Sequence, residues 1–279
     1  MGTEPLIKLT DDGRANGPAE EGAPLLVRKS RISRVRAWVA IILGLVLWQV
    51  IAQWVVHNNA FLASPVEVAR RGWEMLRDGQ LWSNAGVSGE EFLLGFVLGS
   101  AAGVLIGALM AVSDAVHDYL EPWIAALYSA PIVALAPLVI IWFGIGVSSK
   151  VVVVIFMVIF PMIINTEAGL RATDKRLTTA ALSFGANAWQ QFTTVSMPSA
   201  APFVVAGLRL AVGRGLVGVV VGELFGARAG LGNVITNASN VFDMPTLFVA
   251  VVTLALAGII LTNLLQRWER HLASWRDIA

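Results

Sequence analysis

TDKRLTTAALSFGANAWQQFTTVSMP, residues 173–198, is a largely polar stretch set between two long apolar runs, and its spacing decides how the rest of the chain is read. Leu177, Ala180, Ala181 and Phe184 fall at i, i+3, i+4 and i+7, which is one face of a helix. Asp174 can cap its start, and Gly185 can end it in a left-handed turn. A second short helix follows: Asn187 caps it, Gln190 reaches back, and Trp189, Phe192 and Val195 give it an apolar side. Met197-Pro198 is expected to break the chain before the next apolar run. A loop that only joined two segments would need no apolar face. One that docks into a groove on a partner would present anchors of this kind.

Working outward, charge-free stretches run over Ala37–Val56, Phe92–Ser113, Pro122–Ser149, Val151–Thr166 and Met244–Gln266, and Pro198–Gly222 is interrupted only by Arg209 and Arg214. Each is about the 20 residues that a helix needs to cross a bilayer of about 30 Å. Residues 122–166 must hold two crossings, with the turn at Trp142–Ser149, where Gly144 and Gly146 sit. The fold class expected is therefore all-α, a polytopic membrane protein with six crossings over residues 37–266. Arg28, Lys29, Arg31, Arg34 and Arg36 precede the first crossing, Arg171, Lys175 and Arg176 border the quoted stretch, and Arg267, Arg270 and Arg276 follow the last. By the positive-inside rule both termini and residues 173–198 lie in the cytoplasm. Trp38, Trp54, Trp123, Trp142 and Trp268 stand near the ends of crossings, as interfacial anchors do. Ser64-Pro65 opens a further helix, with Val66, Ala69, Trp73 and Leu76 on one side, expected to lie along the outer face of the membrane.

Composition supports this reading: of 279 residues 56% are hydrophobic and 14% charged, a balance foreign to water-soluble globules. The net charge of +1 gives no excess to attract nucleic acid. Without a cysteine there is no disulfide framework, thiolate metal site or thiol nucleophile. Residues 1–36 are expected to be a flexible, retained tail ending in the basic cluster, since the first apolar stretch starts too late for a cleaved signal. Residues 267–279 form a second cytoplasmic tail. His57, His117 and His271 are scattered without partners at ligand spacing, so no metal site and no catalytic residues are expected. No phosphate loop occurs, so this chain is expected to bind no cofactor of its own.

Gly95, Gly99, Gly103 and Gly107 recur every four residues and form a flat stripe. Such a stripe serves close helix packing, or else subunit contact or a substrate path. Arg209 and Arg214 lie within the fifth crossing, where a guanidinium either pairs internally or faces a water-filled path that attracts an anion. Glu223, near the end of that crossing, is a candidate gate or pairing residue.

The quoted stretch resembles the cytoplasmic loop of permeases of binding-protein-dependent ABC importers, whose motif reads E-A-A-x3-G-x9-I-x-L-P. Ala180, Ala181, Gly185, Val195, Met197 and Pro198 occupy its positions, and Thr179 stands where the glutamate belongs. The likeness narrows to the sulfonate, taurine and nitrate branch through Ala63-Ser64-Pro65, Ala136-Pro137-Leu138, Trp142-Phe143-Gly144-Ile145-Gly146, Asn165-Thr166, Gly207-Leu208-Arg209, Glu223 and Gly230-Leu231-Gly232. It implies a type I permease fold in a plasma membrane and a homodimer of such chains. It also implies two separate ATPase subunits that bind ATP and Mg and grip Thr179–Phe184 and Trp189, and an extracytoplasmic solute-binding protein. The resemblance leaves the cargo open among a sulfonate, taurine, nitrate, an aromatic acid and a vitamin precursor, and Arg209 and Arg214 favour a small anionic solute; the chain itself is expected to be a transport subunit, not an enzyme. A secondary transporter or channel working without ATP, the alternative, would show inverted repeats and several midplane carboxylates; Glu223 is the only acid read near a crossing.

Overall fold

The computed structural model describes residues 31–56 and 61–273, so most of the N-terminal tail, His57 and the end of the C-terminal tail lie outside the described residues. The described residues form helices and no strand: α1 Arg31–Val50, α2 Pro65–Arg77, α3 Gln80–Val112, α4 Asp114–Ser129, α5 Ile132–Phe143, α6 Val147–Arg171, α7 Lys175–Ser183, α8 Ala188–Gln191, α9 Met197–Leu224, α10 Leu231–Asn240 and α11 Met244–Ala273. Residues up to Val46 form one unit, represented by the largely exposed first part of α1, and residues from Leu47 form a second. Everything below concerns the second unit.

Its centre is the trio α3, α6 and α9. The four glycines of α3 are buried and lie against α6: a Cβ on Gly103 would sit 2.8 Å from the Ile159 carbonyl oxygen, and one on Gly107 would sit 2.6 Å from that of Ile163. Only hydrogen leaves room for backbone to meet backbone at this distance. Gly207, Gly215, Gly218 and Gly222 do the same for α9 against α6. Phe92, Val154, Val158, Met162, Ala211, Val212 and Val219 fill the space between the three helices.

Five helical stretches among the described residues are long and apolar enough to cross a bilayer, and α4 with α5, bent by 99° at their junction, make a sixth when counted as one span. Three boundaries differ from the sequence reading. The charge-free run from Phe92, the second crossing, is not a separate helix but the latter part of one that starts at Gln80, 33 residues and so about 50 Å long. The third is not one helix: Ala130 precedes Pro131, whose ring drives it into the extended conformation (φ −68°, ψ 143°), and the helix must stop. The turn at Gly144 (φ +79°) falls where expected.

The third difference bears on function. Pro198 does not break the chain. Residues 192–196 wind as a wider π turn, in which the Met197 N–H donates to the Phe192 carbonyl, and proline then takes the second position of α9, where its missing N–H costs little. Residues 188–224 consequently form one rod of 37 residues, about 55 Å long.

At the end of the rod distal to α8, helices α2 and α10 pack with the start of α11 into a cap around Ala63, Val68, Met75, Leu81, Leu231, Val249 and Ala250. Ser64 and Glu67 close a capping box at the start of α2. This helix has two apolar sides: Val68 and Met75 face the protein, while Val66 and Trp73 of the side read from sequence are exposed. Arg71 Nε donates to Thr246 Oγ1 at 2.8 Å, and Thr246 donates to Asp243 at 2.6 Å, which ties α2 to α11.

Candidate functional site

The loop end is built from α7 and α8. Asp174 accepts from the Arg176 N–H and pairs with its guanidinium at 2.9 Å, and these contacts hold the Asp174 carboxyl below the usual carboxylate range. At the other end of α7, Gly185 N–H donates to Leu182 O (2.9 Å) and Ala186 N–H to Ala181 O (3.0 Å), with Gly185 at φ +81°. This paired closure is why an alanine and a glycine stand four residues apart: the glycine supplies the left-handed residue and Ala181 the carbonyl that closes the turn. Asn187 and Gln190 then cap α8 reciprocally at 2.8 and 2.9 Å.

These caps fix two aromatic side chains that stay largely exposed among the described residues. Phe184 is 91% exposed and Trp189 71%, the latter stacked on Phe192 with ring centroids 6.1 Å apart. Leu177 and Leu182 are exposed beside them. Thr179 turns its hydroxyl onto its own helix, donating to Lys175 O at 2.8 Å, so the position carries no charge. Ala180 is exposed, and Val195 and Pro198 line a cleft of about 670 Å³ with Thr173, Asp174, Leu177 and Ser199, between α7 and the start of α9. Nearby, Arg171 bridges Glu167 (2.9 Å) and Asp114 (3.2 Å), and His117 lies 2.6 Å from Glu167, joining α4 to α6.

The two arginines of α9 have different surroundings. Arg209 pairs with Glu269 of α11. Arg214 forms no ion pair among the described residues; it donates to Tyr128 Oη at 2.8 Å and lies over that ring, 4.5 Å from its centroid. Tyr128 stands two residues before the break at Ala130-Pro131, so the guanidinium of Arg214 lies beside a broken helix. Along α9, Phe203, Leu210, Gly213, Val217 and Leu224 form an exposed stripe that starts at the 670 Å³ cleft and passes Arg214.

Glu223 is buried, not open to a path. It sits at the cap end with Ser88, Glu91 and Lys150, all buried. Lys150 Nζ donates to Glu91 Oε1 at 2.7 Å, and Ser88 Oγ donates to Glu223 Oε1 at 2.6 Å. The sequence reading placed Glu91 and Lys150 outside the crossings: Lys150 stands there as a basic residue of the outer side, and Glu91 was missed. The signal available was Glu91 directly preceding the glycine stripe, four residues before Gly95 and so on the same side of the helix. The expectation that Glu223 is the only acid near a crossing is corrected accordingly: α3 extends past Phe92 and carries Glu91 into the bundle.

Comparisons with known proteins agree with this architecture. Residues 99–275 match the family of binding-protein-dependent transport system inner membrane components. The chain is 40% identical over 237 residues to the riboflavin transport system permease protein RibX of Chloroflexus aurantiacus, covering 85% of this chain and 88% of that one. It is 34% identical over 247 residues to the aliphatic sulfonates transport permease protein SsuC of Escherichia coli, covering 88% and 94%. The taurine transport system permease protein TauC of the same organism shares 28% over 236 residues, covering 83% and 86%. The fold matches a chain of the inward-facing methionine ABC transporter MetNI with a TM-score of 0.57 at 20% identity, over 72% of this chain and 96% of that one. With helices arranged as in an importer permease and relatives that are transport subunits, the chain belongs to the binding-protein-dependent permease family of ABC importers, in the branch that holds the sulfonate and taurine permeases.

Proposed function

We propose that the chain translocates a small anionic solute, a sulfonate or a chemically similar acid, into the cytoplasm as one half of a permease homodimer. The observation that carries the mechanical part is the exposed pair Phe184 and Trp189, held on two capped helices at the foot of a continuous rod. Two ATPase subunits, which bind the ATP and Mg, receive these anchors in grooves on their surface. The loop end and both termini then face the cytoplasm, with the basic residues Arg171, Lys175 and Arg176 on that side. Binding of ATP draws the ATPases together and moves residues 173–195, and the rods re-tilt so that the cavity between the two permeases opens outward, where a solute-binding protein delivers its cargo.

Arg214 supports the anionic cargo. A guanidinium in a crossing faces protein or a water-filled cavity, and backbone left unpaired by a broken helix is tolerated only in the same places. Both occur together at Tyr128 and Arg214. The exposed stripe of α9 gives the path, with Arg214 at its flank; Arg209, neutralised by Glu269, holds α9 to α11. The relative named for aliphatic sulfonates bears the name of an anionic cargo, and the one named for riboflavin that of an uncharged one.

The test is Phe184→Ala with Trp189→Ala. The double variant is expected to fold, since both rings are largely exposed, and to lose its ATPase or hydrolyse ATP without uptake. Unchanged assembly together with unchanged coupled uptake would refute the reading. For the cargo, mass spectrometry of the ligand held by the co-purified binding protein should find an anionic group; a neutral ligand contradicts it.

A further inference from the structure

Three consecutive N–H groups at the start of α10 are each held by a side chain from elsewhere. Gly230 N–H donates to Asn84 Oδ1 at 2.9 Å and Leu231 N–H to Ser88 Oγ at 2.8 Å, both on α3, and Gly232 N–H donates to Glu223 Oε2 at the end of α9. Ser88 Oγ is shared, because it donates onward to Glu223 Oε1. These are the donors a helix start leaves unsatisfied, and here they fasten one element to two others. The fit leaves no slack: a Cβ on Gly232 would sit 2.8 Å from Glu223 Oε2, and one on Gly230 would run into the Glu223 carboxyl group. Behind the carboxylate lie the other charged groups of the site, Lys150 and Glu91, which pair with each other at 2.7 Å.

Glu223 is also the second-to-last residue of α9, whose rod begins at α8. The side chain that holds α10 is thus carried by the same continuous helical run as Trp189, about 50 Å along it. We propose that Glu223 is a positioning residue for transport: it fastens the α10 cap to the rod, so that displacement of α8 moves the cap, and the cap opens or closes in step with the loop end. A capping network serving stability alone would not need its acceptor on the rod, since Asn84 and Ser88 of α3 already hold two of the three donors. The inference rests on the reading that an ATPase moves α7 and α8.

The chain has no cysteine, so Ala238→Cys, at a position 5% exposed on α10, places a single thiol beneath the cap. The complex with its co-purified ATPase, in lipid nanodiscs, is treated with a membrane-impermeant maleimide without nucleotide and after trapping with ATP and vanadate. In the parent the thiol is expected to react at different rates in the two states. Adding Glu223→Ala should raise the nucleotide-free rate about fivefold, the effect of losing one hydrogen bond, and make the two rates equal. Glu223→Gln, which keeps an acceptor for Gly232 N–H, should restore the difference. A purely structural role would raise both rates in parallel and preserve their ratio. A preserved ratio in Glu223→Ala overturns the inference, as does a parent whose rate ignores nucleotide, whereas absence of any co-purified ATPase overturns the reading beneath it. Should Glu223→Ala fail to assemble, Ser88→Ala must shrink the ratio; an unchanged ratio there is equally fatal.

Discussion

Substituting the glycines of α3 one at a time separates contact from conformation along a single helix. A methyl group on Gly107 would stand 2.6 Å from the Ile163 carbonyl oxygen and 3.0 Å from Thr166 Cβ, and backbone cannot swing aside as a side chain can. Restoring ordinary contact near 3.5 Å moves α6 away from α3 by about 1 Å, which opens the interface along Gly95, Gly99 and Gly103 as well. Overpacking of this kind costs about 1–3 kcal/mol, from which the gain of about 1 kcal/mol for alanine over glycine in a helix must be subtracted. Gly107→Ala is therefore expected to be destabilising by up to about 2 kcal/mol net. Gly86, also inside α3 but exposed with nothing within 4 Å of an added Cβ, keeps only the gain. Gly86→Ala should stabilise by up to about 1 kcal/mol. Gly99, whose Cβ would meet Val158 at 3.1 Å, falls between them. Thermal unfolding of the purified chain, followed by loss of the monodisperse peak after heating, should rank Gly86→Ala above the parent, then Gly99→Ala, then Gly107→Ala. A Gly107→Ala protein that melts at or above Gly86→Ala would show that α3 and α6 do not meet along the glycines.

Other outcomes follow from named contacts. Lys150→Met leaves Glu91 charged and unpaired inside the bundle and should destabilise by about 3–5 kcal/mol, whereas Lys150→Met with Glu91→Leu should recover most of the loss in the same melting assay. Arg209→Gln should weaken the α9–α11 contact and Glu269→Gln should do no further harm in its presence, a non-additivity that a double-mutant cycle reads directly. Asp174→Ala removes the cap of α7 and should weaken ATPase binding by loosening the helix that leads to Phe184. Because contacts with Arg176 lower the Asp174 carboxyl in the folded chain, the stability it adds is present above its ordinary range and is lost only as pH falls through the depressed value. Coupled hydrolysis should thus show no step from this group between about pH 6 and about pH 8.

The sequence carries the membrane class and the loop helices plainly, because both are local. A run of apolar residues has to find lipid or core, and the caps at Asp174, Gly185 and Asn187 act on N–H and C=O groups within a few residues of themselves. The glycine stripe likewise announces a close neighbour without saying which helix it is. What could not be read is non-local. Glu91 and Lys150 are 59 residues apart and Ser88 and Glu223 are 135 apart, so taken singly each resembles a charge or hydroxyl at the edge of a crossing. Charge at a helix end ordinarily marks the water boundary, and that rule hid the first turns of α3, from Gln80 to Glu91. Pro198 misled for a different reason. A proline does stop an α-helix when the preceding turns are regular, but a π turn at residues 192–196 accommodates it, and no residue in that stretch advertises the wider winding. The break at Pro131 is the converse case, since nothing widens the turn before it and Ala130 is forced into extended conformation.

The account depends most on where Phe184 lies and what it touches. Because the chain has no thiol, Phe184→Cys gives a unique attachment point, and a short maleimide–benzophenone reagent applied to inverted membrane vesicles reads its surroundings. With the maleimide on the introduced thiol and the photoreactive benzophenone inserting into a neighbouring C–H bond, the expected product is a covalent adduct between this chain and a nucleotide-hydrolysing subunit, formed in inverted vesicles and not by an impermeant reagent on right-side-out ones. Modification from the outer face, or an introduced thiol that joins to no ATPase in vesicles competent for ATP-driven uptake, would contradict it.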